Sequence, residues 1–368
     1  MKIAHMTSVH SRYDTRIFFK ECISLQQEKY DVSLIVADGR GNETNKNINI
    51  YDVGFLPGRL NRIFRTTKLV YKKACELSAD IYHLHDPELI PIGLKLLKKN
   101  KIVIFDAHED VPKQLLSKPY LNKYILRFLS KGFSLYERWA IPKFSGIITA
   151  TPIIRDKFLL INKRTIDINN YPILGELHNS NIEWSEKEKQ VCYVGGISRI
   201  RGIKEMIESI SHLSTDTKMK LAGNFSNKDL ENKIKSMKNW HKIDELGFLN
   251  RTETKELLSK SIAGMVLFHP QPNHIDAQPN KMFEYMSAGI PVIASNFTLW
   301  KDIIIGNNCG ICIDPLNPKE LAHTIDYLSN NHDIAEEMGN NGCLAVNNKY
   351  NWNIEQSKLI KFYQQIRY

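Results

Sequence analysis

Residues 190–209 read QVCYVGGISRIRGIKEMIES: a short apolar run, a Gly195-Gly196 pair, and then an amphipathic stretch. Val191–Val194 has the β-branched and aromatic character of a buried strand, and the segment from Gly202 to Leu213 spaces its apolar residues as a helix does. Strand, glycine turn and helix make one βα unit, and repetition of such units builds a parallel sheet. Working outward, the same alternation recurs on both sides. Downstream, strands are expected near Met219–Ala222, Ile243–Phe248, Gly264–Phe268, Pro291–Ala294 and Gly310–Ile313, with helices near Asp229–Met237, Glu253–Ser261, Lys281–Ser287 and Lys319–Leu328. Upstream, strands are expected at Ile3–Val9, Val32–Ala37, Ile81–His85, Ile102–Ala107 and Gly146–Thr149. The helices there are Thr15–Lys29, Leu60–Leu77, Glu88–Lys98 and Leu115–Trp139. Between Ile173 and about Lys189 the pattern lapses into polar, Pro- and Glu-containing sequence, which marks a linker. The expectation is therefore two doubly wound α/β domains, 1–172 and 173–350, with a C-terminal helix over 351–368 packing back on the first. In such sheets ligands sit outside the carboxyl ends of the strands, so the cleft between the domains is the expected place for chemistry.

Length and composition agree with this division. A chain of 368 residues is more than one hydrophobic core usually serves. With 24% charged and 42% hydrophobic residues it is neither disordered nor low-complexity. No apolar run reaches the length of a membrane span, and the opening Met1-Lys2-Ile3-Ala4-His5 resembles a strand more than a signal peptide, so a cytoplasmic location is expected. Six scattered cysteines do not form a disulfide framework. Cys309 and Cys312 have C-x-x-C spacing without a second pair or clustered histidines, and they read as a loop entering a strand.

Glycines at 195 and 196 let backbone approach a ligand closely, and the helix start after them, with Arg199, Arg201 and Lys204, suits an anion. A surface βα turn with solvated arginines accounts for the same residues equally well. The spacing is neither a dinucleotide fingerprint nor a Walker loop. Further on, residues 269–295 (HPQPNHIDAQPNKMFEYMSAGIPVIAS) place Asp276 in a Pro- and Asn-rich loop and Lys281 and Glu284 on a short helix. A carboxylate there can accept two hydrogen bonds from vicinal hydroxyls, as on a ribose, although a plain Lys281–Glu284 surface pair is the simpler alternative. His83 and His85 fall on one face of a strand end, but no third ligand is evident, which favours a structural or substrate-lining role over zinc. No D-x-D motif occurs, so no metal is expected to hold a diphosphate.

Seven segments carry a family resemblance. They are HMTSVHSRYDTRIFFKEC (5–22), HLHDPELIPIG (83–93), FDAHEDVP (105–112), INNYP (168–172), YVGGISRIRGIKE (193–205), IDELGFLNRTE (243–253) and PNKMFEYMSAGIPVIAS (279–295). In this order they resemble retaining glycosyltransferases of family 4, which have the GT-B fold of two Rossmann-like domains facing across a cleft and take sugars from nucleotide diphosphates. The resemblance implies that Glu284 holds the nucleotide ribose. It also implies that Asp276, in place of the family's usual Glu, touches the transferred sugar. Arg201 would bind the donor diphosphate with Arg199, Lys204, Gly195, Gly196 and the Asn280-Lys281 helix start. Backbone at Gly247, Phe248 and Leu249 would meet the base, and His108 would stand near sugar and acceptor. In the first βα loop, where many members have Gly-Gly, this chain has Arg12, Asp14 and Arg16, and either arginine would take up the phosphate contact. Transfer would retain configuration, need no metal or other cofactor, and rely on cations and a helix N-terminus for leaving-group charge.

The net charge is +10, and residues 1–172 alone hold 28 Lys and Arg against 17 Asp and Glu. Part of that surplus lies on Arg59, Arg62, Arg65, Lys68 and Lys72, interleaved with apolar residues. The rest of it includes a stretch, 113–143, with seven basic residues and with Tyr120, Tyr124, Phe128, Phe133 and Trp139. Such faces either lie on anionic lipid or are ordinary solvated helix surfaces. The overall expectation is transfer of a hexose from a UDP- or GDP-sugar to a lipid-linked glycan in O-antigen, capsule or exopolysaccharide assembly, at the inner face of the cell membrane. A GT-B nucleotide-sugar epimerase is the alternative. A nucleic-acid partner is disfavoured for want of any recognition motif.

Overall fold

A computed structural model describes residues 1–116, 122–179 and 182–366. The chain divides into two compact units, Met1–Asn170 with Ile354–Tyr368, and Tyr171–Asn353. The first unit is built on an eight-stranded sheet. Its strands are β1 (Lys2–Met6), β2 (Asp31–Val36), β3 (Glu43–Asn45), β4 (Ile48–Asp52), β5 (Ile81–Leu84), β6 (Ile102–Ala107), β7 (Gly146–Thr149) and β8 (Thr165–Asp167), in the spatial order β3-β4-β2-β1-β5-β6-β7-β8. Every pairing is parallel except β3 with β4.

The second unit holds β9 (Gln190–Val194), β10 (Lys218–Ala222), β11 (Ile243–Gly247), β12 (Ala263–Val266), β13 (Val292–Ser295) and β14 (Gly310–Ile313), all parallel, in the order β11-β10-β9-β12-β13-β14. Both sheets reverse direction of growth beside their first strand, between β1 and β5 and between β9 and β12. This is the doubly wound arrangement, whose ligands gather at the reversal. The fold is GT-B, two Rossmann-like units in tandem.

The central strands are buried on both faces, as parallel strands covered by crossover helices must be. In the second unit two apolar clusters lie on opposite faces of the sheet: Cys192, Val266, Val292 and Ala294 point into one, Val191, Tyr193, Met265 and Ile293 into the other. The C-terminal helix Trp352–Gln365 brings Tyr363 into the first unit, where its hydroxyl lies 2.7 Å from His83 Nδ1.

Several elements differ from the periodicity. The helix expected over Leu115–Trp139 is present as Val111–Leu116 and Lys123–Ala140, while residues 117–121, Tyr120 among them, lie outside the described residues. Helices Thr298–Ile304 and His332–Asn348, and the short strands β3, β4 and β8, were not expected from the pattern. His332–Asn348 buries only small residues on much of its packed face, with Ala335, Gly339, Gly342 and Ala345 inside, so hydropathy alone leaves it nearly silent. Gly342 explains why: a Cβ there would lie 3.2 Å from Met286 Cα, a backbone approach that larger residues would block.

Candidate active site

In the second unit, the carboxyl ends of β9, β10 and β11 are tied together through glycine backbone. Gly195 has φ +127° and Gly223 φ +139°, and a Cβ on Gly223 would fall 1.9 Å from the Gly195 carbonyl oxygen. Only glycine allows both the dihedral and the contact. The Gly223 N–H donates to the Gly247 carbonyl at 2.6 Å, so Gly195 and Gly247 join the same ledge. After Gly196 the chain makes a single 3₁₀ turn, Arg199–Arg201, and enters the helix Ile203–Ser209. Arg201 folds back so that Nη1 donates to the Gly196 carbonyl at 3.0 Å, and its guanidinium lies 5.5 Å from the Phe268 ring centre. Arg199 is exposed. Lys204 is also exposed and pairs with Glu208 at 3.1 Å, one turn along its own helix.

The helix Asn280–Ser287 follows Pro279 and lacks a side-chain cap, which leaves N–H groups at its start unsatisfied by side chains. Asn280 is exposed there, and Lys281 turns inward. Its Nζ sits 3.6 Å above the centre of the Tyr193 ring, and a Cβ on Gly195 would lie 3.1 Å from it. Among the described residues the ammonium has no hydrogen-bond partner, although it is buried. Burial first, and Arg201 second, push its pKa well below the ordinary lysine value, with Glu284 opposing. A buried cation without an acceptor is costly in isolation and becomes favourable when an anion reaches it.

Glu284, one turn on, accepts from Arg251 Nη1 at 2.7 Å, while Arg251 Nε and Nη2 hold both oxygens of Glu176 at 2.9 and 2.5 Å. Burial alone would lower the Arg251 pKa, but the two carboxylates outweigh it and raise it. Asp276 is half-buried in the loop before this helix. Phe248 is 74% exposed and Leu249 packs on the core.

The structure thus gathers Gly195, Gly196, Arg201, Lys281 and Glu284, with Gly247 on the connected ledge, and leaves Arg199, Lys204 and Phe248 facing solvent. Sequence reasoning missed Tyr193, Gly223, Arg251 and Glu176. No periodicity marks them, since each matters only through a partner far along the chain.

In the first unit the loop residues correct an expectation. Arg12 is buried, gives Nε and Nη2 to Asp38 at 2.7 and 2.6 Å, and reaches Glu43 and the Gly41 carbonyl as well. Arg16 is buried, forks onto Asp106 with two bonds of 2.9 Å, donates to the Ile168 carbonyl and pairs with Glu21. Neither guanidinium is presented to a phosphate; both close internal ion pairs. Asp14 caps the helix that begins at Thr15, accepting from the N–H groups of Arg16 and Ile17.

His108 is half-buried beyond β6, with Nε2 3.0 Å from Asp106 Oδ2 and 3.2 Å from His85 Nδ1. Burial would raise the Asp106 pKa, yet Arg16, His108 and His85 hold it well below the usual carboxylate range. His10, not singled out in the sequence, has its ring centre 5.0 Å from that of His108, tilted by 54°, and contacts Asp14 and Asp86. Burial opposes its protonation, but the bond to Asp14 and the charge of Asp86 prevail and raise its pKa.

Comparison with known proteins agrees with this architecture. Residues 176–344 match the model for Glycosyl transferases group 1 and residues 16–165 that for Glycosyltransferase Family 4. Each half of the chain thus matches a glycosyltransferase domain model, and the fold is that of the GT-B class. It is 27% identical over 263 residues to the capsular polysaccharide biosynthesis glycosyltransferase CapM of Staphylococcus aureus, covering 63% of this chain and 66% of CapM. Across the curated relatives it matches, the chain spans 50 to 66% of their length. Among solved structures, sucrose-phosphate synthase from Thermosynechococcus elongatus superposes with a TM-score of 0.79 at 16% identity, covering 99% of this chain and 98% of that one. Anabaena HepE in complex with UDP-glucose superposes with a TM-score of 0.76 at 13% identity, covering 99% and 100%.

Proposed function

We propose that this chain transfers a hexose from a UDP- or GDP-sugar to a lipid-linked glycan during assembly of a bacterial surface polysaccharide such as O-antigen, capsule or exopolysaccharide, with retention of configuration. The observation that carries the reading is the buried, unpartnered Lys281 ammonium beside the Gly195 backbone and Arg201. A diphosphate supplies the anion these groups lack. Glu284 is assigned to the ribose hydroxyls, Arg199 and Lys204 to longer-range attraction, the Gly247–Leu249 backbone to the base, and Asp276 and His108 to the transferred sugar. Leaving-group charge is met by Lys281, Arg201 and the start of the Asn280–Ser287 helix, so the donor needs no metal. The acceptor hydroxyl attacks on the face the diphosphate leaves, and the departing diphosphate takes its proton. The UDP-glucose complex of a structurally similar protein and the capsule-building role of CapM support this choice of donor and product class.

A peripheral position at the cytoplasmic face of the membrane belongs to the same reading. The helix Lys123–Ala140 turns Tyr124, Phe128, Leu135 and Trp139 to solvent beside Lys123, Arg127 and Lys131. Among the described residues no helix is long and apolar enough to cross a membrane.

The deciding experiment is calorimetry against UDP-, GDP- and dTDP-sugars, followed by transfer of labelled sugar onto extracted lipid-linked acceptors and determination of the anomeric configuration of the product. Binding of one donor and an α-linked product from an α-linked donor are expected. Absence of binding to every sugar nucleotide at millimolar concentration would overturn the reading.

A further inference from the structure

The first unit contains a closed group of titratable side chains that the proposed reaction does not use. His5 on β1 and His83 on β5 are register partners in adjacent parallel strands, and His85 follows two residues later on the same face. The helix Thr15–Cys22 covers that face and lowers Glu21 onto it. All four side chains are buried, with exposures of 2% or less. Glu21 Oε2 lies 3.9 Å from each of His5 Nδ1, His83 Nδ1 and His85 Nε2, and His5 Nδ1 lies 2.9 Å from His85 Nε2.

Among the described residues Arg16 is the one guanidinium in contact with both Glu21 and Asp106, so one cation faces two buried carboxyl groups. Among the described residues Glu21 Oε2, His5 Nε2 and His83 Nε2 have no hydrogen-bond partner, while Glu21 Oε1 is held in the ion pair with Arg16 at 3.0 Å. Buried polar atoms are almost always satisfied, so three in one cluster need a cause.

We propose that His5, Glu21, His83 and His85 form a structural binding site for one divalent transition-metal ion, best suited to zinc. Size is compatible with this. The four candidate ligand atoms lie within 4.8 Å of one another; the three edges to Glu21 Oε2 are 3.9 Å and the His5 Nδ1–His85 Nε2 edge is 2.9 Å, so an ion with bonds of about 2.0–2.2 Å needs that last pair to spread and Glu21 to close in. Three imidazoles and one carboxylate are a donor set that zinc accepts in tetrahedral geometry. One outer contact has the form that metal-bound histidines show, since Asp106 Oδ2 lies 3.4 Å from His85 Nδ1, the nitrogen left over on that ring. Two hydrogen bonds compete with the ion: the Tyr363 hydroxyl is 2.7 Å from His83 Nδ1, and His5 Nδ1 is 2.9 Å from His85 Nε2; the ion takes over the lone pairs that these contacts now share. The site ties β1, β5 and the covering helix together and lies beside His108, whose Nε2 is 3.2 Å from His85 Nδ1.

The test uses the whole chain. Protein purified without chelator is expected to carry about one zinc per chain by mass-spectrometric metal analysis. Stripping it is expected to lower the melting temperature by several degrees, and added Zn²⁺ to restore it. Stripped protein titrated with Co²⁺ is expected to develop the intense visible bands of tetrahedral coordination at one equivalent. Glu21→Gln and His5→Asn are expected to lose them, whereas His108→Ala keeps them. Because substitutions in this core can prevent folding, the cobalt spectrum of the wild-type chain is decisive. Zinc-free purified protein that takes up neither ion and shows no thermal shift would overturn the proposal, as would cobalt bands abolished by His108→Ala, which would place the ion at His85, Asp106 and His108 instead.

Discussion

Lys281→Met separates donor recognition from folding more cleanly than any other single change at the site. The side chain length is kept, the ammonium is removed, and nothing else in the site is moved directly. In the unliganded protein two effects oppose each other. Removing a buried donor that has no acceptor relieves about 1–3 kcal/mol, while losing the ammonium over Tyr193, at 3.6 Å from the ring centre, forfeits a cation–π contact of up to about 2 kcal/mol. The stability change is therefore small, a shift in melting temperature of a few degrees for a unit of this size. Donor binding behaves differently. One or two charge-assisted bonds from Nζ to a diphosphate contribute about 2–4 kcal/mol, so the dissociation constant for the nucleoside diphosphate is expected to rise roughly 30- to 1000-fold. Isothermal calorimetry with UDP and GDP, alongside thermal denaturation, measures both quantities. A pH series adds a sign. The free protein holds the Lys281 pKa well below its ordinary value of 10.5, so wild-type affinity is expected to weaken as pH rises through a range where an exposed lysine would still be charged, and the Met variant to show no such fall. The same depression makes the unfolded chain the better proton binder between the two pKa values, so wild-type stability relative to the Met variant rises with pH there. Unchanged affinity in Lys281→Met, or a large loss of stability with binding intact, would refute the assignment.

Other outcomes are equally definite. Glu284→Ala is expected to weaken donor binding about 10-fold or more with little loss of stability, because Arg251 keeps its fork on Glu176; a calorimetric affinity equal to wild type rejects the ribose role. Arg16→Leu is expected to destabilise the first unit by about 3–5 kcal/mol, since it leaves Asp106 and Glu21 buried without their cation. A stable Arg16→Leu protein whose only defect is phosphate affinity would restore the phosphate role. Adding Mg²⁺ or Mn²⁺ to the protein as purified is expected to change neither donor affinity nor turnover, and a strict requirement in a transfer assay contradicts the metal-free diphosphate. On vesicles containing anionic lipid, the double change Phe128→Glu and Leu135→Glu is expected to abolish sedimentation with the membrane, and Arg127→Ala with Lys131→Ala to weaken it by about 1 kcal/mol per residue in a salt-sensitive way. Equal sedimentation of all three proteins rejects this face.

Much of the fold is legible in order along the chain because parallel βα units write themselves locally. Val191–Val194, Ile102–Ala107 and Gly146–Thr149 are apolar runs between polar turns, and the structure has strands there to within a residue. Elements whose partner is specified elsewhere were silent: β3 and β8 are three residues each, and His332–Asn348 packs through Gly339 and Gly342 against other backbone. The candidate site divides the same way. Gly195, Arg201, Lys281 and Glu284 stand out by residue type at the ends of strands and starts of helices. Arg251 and Glu176 are 75 residues apart and acquire meaning only when paired.

The sequence by itself determined the doubly wound class and the order of the units, and it singled out the side chains proposed to meet a nucleoside diphosphate, because local periodicity and residue chemistry encode these without reference to distant partners. Tertiary structure decided which charges are available. Arg12 and Arg16 look identical in the sequence to phosphate-binding arginines, yet Asp38, Glu43, Asp106 and Glu21 fold in around them and spend both guanidinium groups inside. Lys281 looks like half of a surface ion pair, yet Tyr193 and Gly195 close over it and leave its ammonium without an acceptor. His83 and His85 lacked a third ligand along the chain until β1 brought His5 beside them and the first helix brought Glu21 above. Burial and pairing are properties of three-dimensional neighbours, and the free energy of a charge depends on them more than on the residue that carries it.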